Sequence, residues 1–321
     1  MSVVPLQHGV RVRDDQATRL RAMLTGDDRA SNAAPKHIEQ PRPKIITLAS
    51  GKGGVGKTFT SISLATAFAS LGHRTTLIDA DFGAANADIM LGLAPLRRLD
   101  ECFIRGFARG HTLRDIAIDS GAGFRLVPGP VGMGRPPASA DRQRLLSGLS
   151  ALNNTTDLAL LDCSAGVGPS VLELLAASDI AVVVLTPEPT SIADAYALVK
   201  SLVRSKGPES ASKLKLLVNQ AGSKAEAERV HRRVSAVARR FLGLTLPLIG
   251  LIPYDKTVKR GVCDQRVVQG GKLRSASGRA ARRIADQLSP QIESLDIGRR
   301  GSCAAPDSLD ARSRLGLVLD R

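Results

Sequence analysis

From residue 45 onward, short unbroken apolar runs alternate with longer stretches in which apolar positions recur every three or four residues. The runs are Ile45–Ala49, Thr75–Asp79, Phe124–Val127, Leu158–Asp162, Ile180–Thr186, Leu214–Asn219 and Leu248–Ile252. They lack the in–out alternation of a half-solvated strand, so they predict strands buried on both faces. Helical patterns fall at Lys57–Leu71, Ala140–Leu152, Ser170–Ser178, Ser191–Ser205, Ala225–Leu242 and Ser277–Leu288. In Ala225–Leu242 the expected apolar stripe is Val230, Val234, Val237 and Phe241, with Arg229, Arg232, Arg233, Arg239 and Arg240 largely off it. Alternating β and α predicts an α/β fold, a doubly wound and mostly parallel sheet, whose ligand sits beyond the carboxyl ends of the strands.

The flanks read differently. In Asp15–Leu24, Ala17, Leu20 and Leu24 share one helical face, with Asp14 or Asp15 as N-cap. Residues 25–43 are polar, hold three prolines and show no period, which predicts a flexible linker. The expected organisation is an N-terminal helix in 1–24, the linker 25–43, a main domain 44–290 and a tail 291–321. In that tail Leu315, Val318 and Leu319 share a face, but Gly316 and Leu317 spoil the stripe. A weak interfacial helix and an unstructured tail both fit.

Composition narrows the class. The chain has 321 residues, 43% hydrophobic and 23% charged, which excludes global disorder and a coiled-coil rod. Aromatics are 3% with no Trp, a poor basis for binding single strands by base stacking. No apolar run approaches the ~20 residues of a membrane span. The stretch MSVVPLQHGVRVRDD has no signal-peptide core, so a cytoplasmic protein is expected. Four cysteines without a CxxC pair predict reduced thiols rather than a disulfide framework or a zinc site. The net charge of +15 is concentrated in residues 201–321, where 24 basic residues face 11 acidic ones. That excess fits a polyanionic partner, nucleic acid or an anionic membrane, or else a solvated basic face.

The most specific chemistry is the run Ala49-Ser50-Gly51-Lys52-Gly53-Gly54-Val55-Gly56-Lys57-Thr58, which contains G-x-x-x-x-G-K-T between a predicted strand and a predicted helix. Glycines there let backbone N–H groups wrap phosphates, and the helix N-terminus favours negative charge. Lys57 would reach the β- and γ-phosphates, and the Thr58 hydroxyl would bind Mg²⁺. Lys52 is surplus to such a loop. It is either a solvated lysine or a group that reaches an anion across a dimer. Further along, Asp79 and Asp81 close one apolar run, and Asp162 closes another ahead of the turn Cys163-Ser164-Ala165-Gly166. Carboxylates at those strand ends can hold a metal's water shell or an attacking water. Asn219 ends a later strand and can offer donor and acceptor to a base edge, or simply cap the strand. The loop Pro253-Tyr254-Asp255 follows the last strand.

KGGVGKT, Lys52–Thr58, resembles the deviant Walker A loop of the MinD/ParA family of ATPases, over roughly Lys44 to Leu288. The resemblance implies ATP and Mg²⁺ as cofactors and a homodimer clamped by ATP, with Lys52 crossing to the partner's phosphates. It implies a catalytic set of Lys52, Lys57 and Asp81, with Asp81 positioning the water. It places Asp79 near the metal, Asp162 on Mg²⁺, Gly166 with its N–H on the γ-phosphate, and Asn219, Pro253 and Asp255 at the adenine. No guanine-type NKxD run is present, which favours ATP over GTP. Phe59 and Ser63 depart from the usual Thr and Asn, at positions not expected to touch phosphate.

Asp15-Gln16-Ala17-Thr18-Arg19-Leu20-Arg21 is similar to the leader of the FlhG (FleN) branch of that family, regulators of flagellar number and placement. This implies that Asp15, Gln16, Ala17, Leu20 and Arg21 dock on an FlhF-like GTPase, with Gln16 the activating side chain. Flagellar switch or transcription factors are implied as further partners, and peripheral attachment to the cell membrane's inner face as a further location. Two other readings stay open. One is a ParA-type partition ATPase on non-specific DNA, using the arginines of 225–242 with Arg279, Arg282 and Arg283. The other is a metabolic relative such as an iron–sulfur carrier, against which the missing CxxC counts.

Overall fold

The computed structural model describes residues 42–104, 111–131, 137–265 and 274–301, all within the compact unit Pro41–Arg321. The predicted leader, most of the linker and residues 302–321 lie outside the described residues. Among the described residues eight strands form one sheet: β1 (Lys44–Ser50), β2 (Thr75–Ala80), β3 (Ile118–Asp119), β4 (Arg125–Val127), β5 (Leu158–Ala165), β6 (Ile180–Leu185), β7 (Leu214–Ala221) and β8 (Leu248–Pro253). Their order is β3-β4-β2-β5-β1-β6-β7-β8, parallel throughout except the antiparallel β3–β4 pair at one edge. Every residue of β1, β2 and β6 is buried, which is why those runs carry no polar alternation.

Among the described residues ten α-helices wrap the sheet: α1 (Lys57–Ser70), α2 (Ala87–Leu91), α3 (Leu99–Ile104), α4 (Leu113–Ile116), α5 (Ser139–Gly148), α6 (Pro169–Ala177), α7 (Pro189–Lys206), α8 (Lys224–Leu242), α9 (Lys256–Cys263) and α10 (Ala276–Gly301). Two apolar cores result. One joins α1 and α10 to one sheet face through Ile62, Phe68, Ile284 and Leu288. The other joins α5 to α8 to the opposite face through Leu145, Leu174, Leu198 and Val234. Emptying one of these sites, as in Phe68→Ala, would cost about 3–5 kcal/mol.

Three expectations change. The buried stripe of α8 is Ala227, Val230, Val234 and Ala238, while Val237 and Phe241 face solvent, Phe241 at 64% exposure. Both sets keep the helical period, so spacing alone does not choose between them; the face that α8 turns to the core carries the small side chains Ala227 and Ala238 beside Val230 and Val234. The last helix does not stop at Leu288. It continues through Pro290, because Ile284, Leu288 and Ile292 stay buried on one face. Arg42, placed in the linker, is already anchored, its guanidinium donating to Asp179, whose carboxylate also accepts the Ile45 N–H at 2.8 Å. Cys102 and Cys163 are buried thiols, and Cys263 is exposed.

Candidate functional site

The carboxyl ends of β1, β2, β5, β7 and β8 surround a cavity of about 540 Å³. It is lined by the loop from Gly53 to Thr58 and by Asp81, Asn219, Pro253 and Asp255. Gly56 ends that loop with φ 80° and serves as N-cap of α1 without a side-chain cap, so the first-turn N–H groups of a 14-residue helix open towards the cavity. A side chain at Gly56 would run into the Asn219 amide. One at Gly51 would run into the Asp194 carbonyl on the first turns of α7. Both positions therefore demand glycine.

Lys57 is buried, and its ammonium donates to Asp162 Oδ1 at 2.8 Å. Burial alone would lower the Lys57 pKa, but the charge and hydrogen bond of Asp162 outweigh it and hold the ammonium above its ordinary value. Ser61 on α1 also donates to Asp162 Oδ1, at 3.0 Å. Asp162 Oδ2 is buried with no hydrogen-bond partner among the described residues. A buried carboxylate oxygen with nothing to bind fits a hydrated cation. Thr58 supplies a hydroxyl in the cavity wall. Among the described residues no group of three or more His, Cys, Asp or Glu forms a metal cage. One carboxylate and one hydroxyl, completed by phosphates and water, is a donor set that suits Mg²⁺.

In β2 and β5 the parallel register sets Asp79 beside Asp162. Asp79 is 1% exposed and accepts N–H from Asp81 (3.1 Å), Asn86 (2.9 Å) and Ala87 (3.0 Å). Burial, reinforced by the Asp162 charge, pushes its pKa up to about 7. Its carboxylate is thus given over to holding the turn between β2 and α2. Asp81 reaches the cavity wall, and its Oδ1 accepts from Gly83 N, Ala84 N and Ser164 Oγ.

Several residues sit otherwise than their expected roles suggest. The Gly166 N–H donates to the Ser50 carbonyl at 2.8 Å, so it must leave that bond to meet a γ-phosphate. Lys52 lies outside the cavity lining, its ammonium on Glu188 Oε2 at 2.5 Å and Thr190 Oγ1 at 3.1 Å, at the start of α7. Asn219 lines the cavity, but its Nδ2 donates to the Val55 carbonyl at 2.7 Å and its Oδ1 accepts the Gln220 N–H, so it braces the loop. Asp255 caps two helices at once. Oδ1 accepts from Thr257 at the start of α9, and Oδ2 from Ser277 in the first turn of α10. Its burial would raise its pKa, but these four bonds hold the carboxyl below its usual range.

The sequence reading did not single out the cavity's apolar wall, Phe59, Met90, Val258 and Val262, or Gln220, which takes φ 57° beside Asn219. Only Phe59 carried a signal, as a departure from the expected loop. The partners of Lys52 gave none, because Glu188 is 136 residues away.

Residues 46–268 match the family model for the CobQ/CobB/MinD/ParA nucleotide binding domain. The chain is 37% identical over 247 residues to the antiactivator FleN of Pseudomonas aeruginosa, covering 76% of this chain and 86% of that protein. It is 29% identical over 300 residues to the flagellum site-determining protein YlxH of Helicobacter pylori, covering 90% and 95%. Among solved structures, the septum site-determining protein MinD of Pyrococcus horikoshii, complexed with Mg-ADP, superposes with a TM-score of 0.60 at 21% identity. That likeness covers 78% of this chain and 97% of the other.

Proposed function

Because the chain belongs to the CobQ/CobB/MinD/ParA nucleotide-binding family, and to its FleN/FlhG type, we propose that it is a Mg²⁺-dependent ATPase that limits flagellar number by switching between monomer and ATP-bound homodimer. The observation that carries the ATPase chemistry is the convergence of Lys57, Thr58, Asp81 and the half-partnered Asp162 at one cavity end. The flagellar role rests on the likeness to FleN and YlxH.

In the proposed cycle, triphosphate enters against the open N-terminus of α1, and Lys57 exchanges Asp162 for the phosphates. Mg²⁺, held by Thr58 and Asp162, would neutralise charge on the phosphates. Asp81 offers its free oxygen to the attacking water. Gly166 gives up Ser50 to donate to the γ-phosphate, which links the turn after β5 to the nucleotide state. Lys52 leaves Glu188 and crosses to the phosphates of a second copy. Residues 15–24 act as a detachable ligand for an FlhF-like GTPase, with Gln16 activating and Leu20 docking. Flagellar switch or transcription factors are the further partners of the ATP-bound form. Attachment to the cell membrane's inner face is proposed as peripheral, and among the described residues no helix is long and apolar enough to cross a membrane.

The test is in cells and in solution. Removing the gene should raise the number of flagella per cell counted by electron microscopy, and the purified chain should hydrolyse ATP only with Mg²⁺. Unchanged flagellar number would end the flagellar reading. A peptide of residues 1–26 should speed GTP hydrolysis by the cognate FlhF-like protein, and Gln16→Ala should abolish that effect.

A second reading has one observation in its favour. Arg229, Arg232, Arg233, Arg239 and Arg240 are all exposed on α8, and none has an ion pair among the described residues. Non-specific DNA would take such a face, with affinity falling steeply as salt rises. A mobility-shift assay with ATP at low and high salt decides it.

A further inference from the structure

We propose that Ser164 is a positioning residue for Asp81, tying the turn after β5 to the turn after β2 and deciding which carboxylate oxygen meets the water. The inference rests on the reading of Asp81 as the group that holds that water.

The register between β2 and β5 pairs Asp79 with Asp162 and Ala80 with Cys163. One step further along both strands, side by side, come Asp81 and Ser164. The Ser164 hydroxyl lies 2.9 Å from Asp81 Oδ1. A carboxylate can only accept, so the serine donates. The same oxygen also takes the backbone N–H groups of Gly83 and Ala84, each at 3.1 Å. Three donors converge on Oδ1, while Oδ2 has no hydrogen bond among the described residues. Because Asp81 stands in the wall of the cavity, Oδ2 is the oxygen left to hold water there.

The two backbone donors belong to Asp81's own turn and would move with it. Ser164 alone comes from a different strand, so it alone fixes the carboxylate relative to β5. It also stands two residues before Gly166, whose N–H rests on the Ser50 carbonyl. A shift of this turn when Gly166 changes partner pulls on Asp81 through the serine hydroxyl. Ser164 is thereby the link through which the γ-phosphate sets the aim of the water-holding group.

The experiment uses the full chain with three variants, Ser164→Ala, Ser164→Thr and Asp81→Asn. In nucleotide-free protein, Ser164→Ala should speed amide hydrogen exchange at Gly83 and Ala84, and Ser164→Thr should restore the wild-type rates. With ATP and Mg²⁺, Ser164→Ala should lower kcat about tenfold, the scale of a misaimed group, while KM and the affinity for a fluorescent ATP analogue stay unchanged. Ser164→Thr should recover the rate. In an Asp81→Asn background, Ser164→Ala should have no further effect, because the two act as one unit. Unaltered exchange at Gly83 and Ala84 would overturn the proposal, as would a kcat within twofold of wild type while Asp81→Asn is inactive. Additive losses in the double variant would overturn it too. If Asp81→Asn keeps wild-type turnover, it is the reading of Asp81 that fails, and the exchange measurement still decides whether the serine holds the turn.

Discussion

Two lysines five residues apart in one loop are each held by a carboxylate, on opposite sides of the loop. On the inner floor, Lys57 is 7% exposed and its partner Asp162 is fully buried. On the outer rim, Lys52 is 32% exposed and Glu188 is 62% exposed. Their environments make the two pairs energetically unlike. An exposed pair is screened by water and contributes at most about 1 kcal/mol. Breaking a buried pair strands a charge at a cost of about 3–5 kcal/mol. Lys57 can therefore leave Asp162 only when other negative charge replaces it, which phosphates do. Lys52 can leave Glu188 almost freely, and it is the lysine proposed to cross into a second copy.

The sharpest way to break this contrast is on the floor. Asp162→Ala should lower the stability of the nucleotide-free protein by about 3–5 kcal/mol in urea unfolding, by stranding the Lys57 charge. A loss below about 1 kcal/mol would make the floor pair no different from the rim pair. Next in size is Asp81→Ala, which leaves Lys57 and Asp162 in place. Nucleotide binding should persist while steady-state phosphate release falls by ~10²-fold, and the ATP-bound dimer should outlast that of the wild type. Third, Lys52→Ala should bind ATP normally but weaken the ATP-dependent dimer by at least about tenfold, roughly 1.4 kcal/mol, read by light scattering. A dimer of wild-type affinity would remove the rim lysine from the interface. The smallest effect belongs to Glu188→Ala, whose unfolding free energy should stay within about 1 kcal/mol of wild type.

The floor was largely legible in the sequence and the rim was not. Lys57, Thr58 and Asp162 were readable because a local pattern carries them: a glycine-rich turn between strand and helix, and an apolar run ending in Asp. Lys52 stood out as a surplus lysine, but its bond to Glu188 depends on how α7 packs against Gly51, which no local pattern encodes. The strands were readable for the same physical reason that they are buried. The short helices α2, α3, α4 and α9 escaped, since four to eight residues hold too few turns to display a period. Asn219 and Asp255 make bonds that residue type alone does not disclose. Both line the cavity, yet the Asn219 amide and the Asp255 carboxylate are engaged in bracing the loop and capping helices. Val237 and Phe241 were misplaced by a single step around a helix, where an exposed Phe is indistinguishable by type from a buried one.

The double cap at Asp255 has a consequence for engineering. One carboxylate holds the first turn of α9 and the first turn of α10, joining positions 22 residues apart. The chain between Gln265 and Arg274 therefore starts and finishes at sites whose spacing is set by that one side chain rather than by its own length. The closure entropy of a chain segment grows slowly with its length, by about 0.6 kcal/mol for each doubling. A fluorescent domain or an affinity tag grafted between these two residues would leave α10 seated against α1, so the ATPase could be tracked in living cells without burdening either end of the chain.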